Sequence, residues 1–86
     1  MEKLAIIGSG TMGHSIALSA AWAGMQVKMY GLDANDLEKG FSGIENKLAV
    51  LLKNGLVNTG DIQDIKARIS GSQSINETIR GATFII

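Results

Sequence analysis

The chain contains no cysteine and no proline, and only one histidine, one tryptophan, one tyrosine and two phenylalanines among its 86 residues. Without cysteine there is no disulfide framework, no thiolate nucleophile and no cysteine-based zinc site. His14, the single histidine, cannot assemble a metal centre alone, and no metal is expected. The lack of proline and of any low-complexity tract argues against a linker dividing these residues. An excess of charge is missing too. Eight basic and eight acidic side chains cancel, so no long-range field draws the chain to nucleic acid or to an anionic membrane, and neither is expected as a partner. The longest apolar runs are a few residues, far short of the ~20 that span a bilayer, and the N-terminus has no signal-peptide core. A soluble, cytoplasmic protein is the expectation.

What is present is ordinary globular material: 45% of residues are hydrophobic and 19% charged, enough for a packed core. At this length one small domain forms, burying roughly 60–65% of the surface of its unfolded chain, and marginal stability is expected. Leu4-Ala5-Ile6-Ile7 is a short apolar run closed by glycines, the pattern of a strand covered on both faces in a parallel sheet. Thr11 to Ala23 carries Met12, Ile16, Ala17, Ala20 and Ala23 at helical spacing, with Gly24 placed as a left-handed terminator. Val27-Lys28-Met29-Tyr30, between Gly24 and Gly31, alternates as a second strand.

From Ala34 to Leu52 the residues Leu37, Phe41, Ile44, Leu48 and Leu51 form one apolar stripe along a helix that Asn54-Gly55 ends. Gly40 and Gly43 within it cost ~1 kcal/mol each relative to alanine, so they either admit a close backbone neighbour or mark a weak point. A shorter helix, Gly60 to Arg68, shows Ile62, Ile65 and Ile69 on one side, with Thr59 placed to cap its amides. The two helices are expected to form a hairpin. Ile69 to Ser72 reads as a third strand. Ser74 to Glu77 has the Ser-x-x-Glu form of a reciprocal capping box for a short helix to Arg80. Thr83 to Ile86 reads as a fourth buried strand, after which the chain stops as though truncated.

Gly8-Ser9-Gly10-Thr11-Met12-Gly13 fits G-x-G-x-x-G and lies between a buried strand and a helix start, the context that gives this short pattern its meaning. Gly8 allows the tight turn, Gly10 offers no side chain to hold a pyrophosphate away, and Gly13 lets the helix pack closely. The free amides near Thr11 and Met12, with the helix dipole behind them, suit phosphates. Such sites place an acid at the end of the second strand, about 20 residues on, to hold the adenosine ribose hydroxyls. That position is Gly31 here, and Asp33 follows two residues later. Asp33 either reaches back to the ribose or caps the next helix. Because no Arg or Lys occupies positions 31 to 35, NAD is expected rather than NADP.

The glycine turn from Gly8 to Gly13, followed by Ile16-Ala17 and by Ala23-Gly24 leading into the second strand, resembles the NAD-binding domain of the 3-hydroxyacyl-CoA dehydrogenases. The likeness extends to the long helical hairpin after strand two and covers essentially the whole chain. It implies an α/β, partial Rossmann fold with a parallel sheet in the order 3-2-1-4, truncated at strand four. Residues 1–86 would then be an incomplete NAD-binding domain, and a helical C-terminal catalytic and dimerisation domain would lie outside them. The cofactor implied is NAD, held by Gly8, Ser9, Gly10, Thr11, Met12, Gly13 and Asp33 over the carboxyl ends of strands one and four. In that family hydride passes between the nicotinamide and C3 of a 3-hydroxyacyl-CoA, such as 3-hydroxybutyryl-CoA, in fatty acid metabolism. The acid-base His–Glu pair and the substrate-positioning Ser and Asn fall outside these residues, so no catalytic residue is assigned. The implied partners are an acyl-CoA-type small molecule and a second copy of the protein, joined through the second domain as a homodimer.

Other assignments stay open on the residues alone. A non-catalytic nucleotide-binding module would show the same turn, as would a β-hydroxyacid or 6-phosphogluconate type dehydrogenase, against which the long hairpin argues. His14 lies just beyond the turn with no carboxylate placed to orient it, so partial burial is expected rather than catalysis. Lys39, Lys47 and Lys53 either face CoA phosphates or belong to a solvated helix face mixed with Glu38 and Glu45. Trp22 and Phe41 are expected in the core or against the missing domain.

Overall fold

The computed structural model describes residues 2–8 and 10–86, Thr11 through its backbone alone. The elements run β1 (Lys3–Ile7), α1 (Thr11–Trp22), β2 (Gln26–Tyr30), α2 (Ala34–Lys53), α3 (Thr59–Ala67), β3 (Ile69–Ser72), α4 (Ile75–Ile79) and β4 (Phe84–Ile85). All strand pairs are parallel and the order is β3-β2-β1-β4, as the family resemblance implies. The register sets Ile7 beside Tyr30 and Tyr30 beside Ser72. Gly8 and Gly31 therefore leave the sheet side by side at its carboxyl edge.

Successive strand residues point to opposite faces, and the two faces are covered unequally. Leu4 and Ile6 of β1, Val27 and Met29 of β2 and Ile69 of β3 form a core with Ala17, Leu18 and Ala21 of α1, Ile44 and Leu48 of α2 and Ile65 of α3. Ala17 and Ala21 of α1 are fully buried and let that helix lie close to the strands. On the other face Ala5 is buried, and α4 brings Thr78 down to it with its hydroxyl donating to the Ser74 carbonyl at 2.7 Å.

The stripe expected on α2 is the buried one, with Gly40, Ile44 and Leu48 inside and Leu37, Phe41 and Leu51 packed on the core. Lys66 of α3 pairs with Glu45 of α2, so the end of α3 returns to the middle of α2 as a hairpin requires. Gly43 admits a side chain rather than a backbone: a Cβ there would stand 2.5 Å from Nε2 of His14, which is buried against it. Trp22 is only half-buried, while Phe41 packs against the core.

Three local expectations are corrected. Asn58, not Thr59, caps α3: its side chain accepts from the Asp61 N–H at 2.8 Å while the Asp61 carboxylate accepts from the Asn58 N–H at 3.0 Å. Asn58 has the extended backbone a cap needs, and Thr59 is already the first helical residue. The box expected at Ser74 is half made. Ser74 accepts from the Glu77 N–H at 3.3 Å, but its own N–H donates to the Ser72 hydroxyl and Glu77 turns to Arg80. The fourth strand is not buried: Phe84 is 54% and Ile85 57% exposed, because β4 pairs through two residues at the sheet edge and no described helix lies over it.

Candidate functional site

Gly8 leaves β1 with φ +130°, a conformation L side chains rarely adopt, and its N–H donates to the Tyr30 carbonyl at 3.0 Å. That hydrogen bond pins the turn to the edge of β2. Gly10 then opens α1 in an extended conformation, with nothing within 4 Å of the place a Cβ would take. Gly13 is the opposite case. A Cβ there would lie 2.5 Å from the Gly8 carbonyl oxygen, so α1 can lean on the turn only because this residue has no side chain. Met12 is fully out in solvent at 78% exposure. Ser9 lies outside the described residues, and Thr11 is placed by its backbone as the first residue of α1.

The start of α1 differs from the other three helix starts. Asp33, Asn58 and Ser74 cap α2, α3 and α4 with their side chains, and each of those helices has an acid in its first turn, Asp36, Asp61 and Glu77 respectively. α1 begins at a glycine with no side-chain cap and no acid in its first turn. A helix start leaves its leading N–H groups without intrahelical partners and carries partial positive charge. Nothing caps this start from its own N-cap side chain, and the open space over Gly10 leaves its amides reachable from outside. An anion of phosphate chemistry fits that arrangement.

A hollow of about 350 Å³ runs from this turn along the carboxyl edge, lined by Ile7, Gly8, Gly10, Tyr30, Gly31, Leu32, Asp36 and Lys39. Its far end is where a ribose-holding acid would stand, and the structure explains why Gly31 stands there instead. The Gly31 N–H donates to the Ser72 carbonyl, and a Cβ at this position would lie 2.6 Å from Leu37 Cγ and 3.1 Å from the Leu37 backbone nitrogen. A Cβ at Gly71 would likewise come within 2.8 Å of Leu37. The first turn of α2 thus sits directly on bare backbone at the ends of β2 and β3.

Of the residues singled out from sequence, the structure brings Gly8 and Gly10 to the hollow, with Gly13 behind them holding α1 in place. Asp33 is not among the lining residues, and its carboxylate accepts from the Asp36 N–H at 2.9 Å as the cap of α2. Tyr30, Leu32 and Asp36 were not foreseen. The available signal was the start of α2: a cap at Asp33 places positions 36 and 39 on one helix face, looking back toward Gly31. Lys39 therefore belongs to this hollow, whereas Lys47 borders an apolar groove with Trp22, Val50 and Leu51, and Lys53 is exposed. His14, buried on Gly43, does not line the hollow. Among the described residues no three side chains could hold a metal ion together, and no helix is long and apolar enough to cross a membrane.

Residues 3–86 match the family described as 3-hydroxyacyl-CoA dehydrogenase, NAD binding domain. A Bacillus subtilis protein named as a probable 3-hydroxybutyryl-CoA dehydrogenase is 31% identical over 77 residues, covering 90% of this chain and 27% of its own. The human lambda-crystallin homolog is 31% identical over 81 residues, covering 93% of this chain and 25% of its own. The crystal structure of (S)-3-hydroxybutyryl-CoA dehydrogenase from Ralstonia eutropha superimposes with a TM-score of 0.93 at 28% identity, over 99% of this chain and 30% of that one. The chain thus spans under a third of the length of each of these relatives.

Proposed function

The chain belongs to the 3-hydroxyacyl-CoA dehydrogenase family, as its NAD-binding domain, and on that premise we propose that the Gly8–Gly13 turn holds the diphosphate of NAD for hydride transfer to or from C3 of a 3-hydroxyacyl-CoA. The observation that carries the reading is the uncapped start of α1, open over Gly10 while every other described helix start is closed by a side chain. The residues present fit the cofactor. Backbone N–H groups meet the diphosphate charge, Gly10 allows it to approach, and the hollow toward Gly31 receives the adenosine half. Bound NAD supplies the nicotinamide that takes up or releases the hydride.

The part played by these residues is binding and orientation. Gly8 and Gly13 fix the angle between β1 and α1, and that angle sets where the diphosphate lies relative to the carboxyl edge of β1 and β4. Acid-base chemistry and recognition of the acyl-CoA are assigned to a further helical domain, which would also carry the contact of a homodimer. Ribose recognition falls to the first turn of α2. Asp33 caps α2 through one carboxylate oxygen, leaving the other to reach a ribose hydroxyl, and Asp36 lines the hollow.

Thermal unfolding of the protein with and without NAD tests this. A ligand that binds only the folded state adds ~2.7 kcal/mol at a hundred times its dissociation constant, so the midpoint should rise with NAD concentration. An unchanged midpoint at millimolar NAD would remove the diphosphate from the glycine turn.

A further inference from the structure

The lysine of the hollow and the glycine beside it bear on which dinucleotide the site takes. Sites that reject NADP do so with the acid after the second strand, whose carboxylate accepts the ribose hydroxyls and repels a 2′-phosphate. Position 31 cannot supply that group here. Its Cβ would press on both the side chain and the backbone nitrogen of Leu37, so an aspartate could enter only by displacing the start of α2. One oxygen of Asp33 is held as the cap of that helix by the Asp36 N–H, and Asp33 does not line the hollow. The charges that remain at this end of the hollow are one carboxylate, Asp36, and one ammonium, Lys39, three residues apart on α2. The lining of this end therefore sets an ammonium beside its one carboxylate, where an NAD-only site presents the acid alone. Lys39 stands at the hollow on a flexible four-carbon stem, so its ammonium can follow a phosphate that enters there.

We infer that the adenosine-ribose end of this site admits a 2′-phosphate, so that the protein binds NADP as well as NAD, with Lys39 as the residue that pairs with the added phosphate. This rests on the reading that the Gly8–Gly13 turn holds a dinucleotide. Asp36 tempers the preference, since its carboxylate serves the hydroxyl of NAD and opposes the phosphate of NADP, and the pair together accommodates either form.

Calorimetric titration of the protein with NAD, with NADP and with adenosine 2′,5′-bisphosphate tests the inference without any turnover. NADP should bind within about tenfold of NAD, and adenosine 2′,5′-bisphosphate should compete with it. Lys39→Met should weaken NADP about tenfold more than it weakens NAD, and Lys39→Arg should restore the balance. Lys39 is exposed, so these variants are expected to fold, and circular dichroism checks that they do. NAD binding with NADP a hundredfold or more weaker would overturn the inference while leaving the diphosphate site standing. NADP binding that ignores Lys39→Met would overturn the role of Lys39. Failure of both dinucleotides would overturn the inference and the reading beneath it together.

Discussion

Replacing Gly10 with alanine separates the two things a glycine at this position could do. If Gly10 served only the chain, the substitution should be felt in folding. The structure places its Cβ in open space, and φ −67° with ψ −168° is a conformation alanine adopts freely. Alanine at a helix N-cap is worse than glycine by ~0.5 kcal/mol, and the stiffer unfolded chain returns a similar amount. Gly10→Ala should therefore leave stability within about 0.5 kcal/mol. Binding is another matter. The new methyl stands over the uncapped start of α1, in the space a diphosphate must enter. Forcing a methyl into a close contact costs ~1–3 kcal/mol, which corresponds to NAD affinity roughly 5- to 150-fold weaker. Urea unfolding and calorimetric titration with NAD on the same preparation read both quantities. A variant with wild-type stability and wild-type affinity would refute the placement of the diphosphate over Gly10.

Gly13→Ala should behave differently, because its Cβ would meet backbone at 2.5 Å. The gain of ~1 kcal/mol in helix propensity is outweighed by moving α1 off the turn, so both stability and NAD affinity should fall, read by the same two assays. Asn58→Ala removes the side-chain half of the capping box on α3 and should cost ~1 kcal/mol in urea unfolding, whereas Thr59→Ala should cost less. Equal losses at the two positions would contradict the assignment of the cap.

Much of this architecture is legible in the residues alone, because the patterns involved are local. An apolar run closed by glycines marks β1, a stripe with steps of three and four marks α2, and strand order comes with the family resemblance rather than from the residues. Where reading failed, the deciding fact was not local. Asn58 and Thr59 are adjacent and both are good caps, and only the backbone shows that the helix begins after Asn58. An apolar segment at Phe84 and Ile85 asks for cover without saying whether cover is there. Gly31 looked like a missing acid, and its reason is a tertiary one, the Leu37 side chain folded back across the end of β2. Asp36 and Lys39 were invisible as ribose-end residues for the same reason: their place depends on where α2 starts and how it lies on the sheet.

The most direct test of the diphosphate site is a backbone amide map of the isotopically labelled protein, recorded by NMR as NAD is added. Amides that turn to a phosphate shift strongly because the hydrogen bond forms at the observed nucleus. The largest shifts are expected at Gly10, Met12 and Gly13, with smaller ones at Gly31, Asp36 and Lys39 along the hollow. Shifts that leave Gly10 to Gly13 unmoved, or that centre on the apolar groove at Trp22, Val50 and Leu51, would contradict the account.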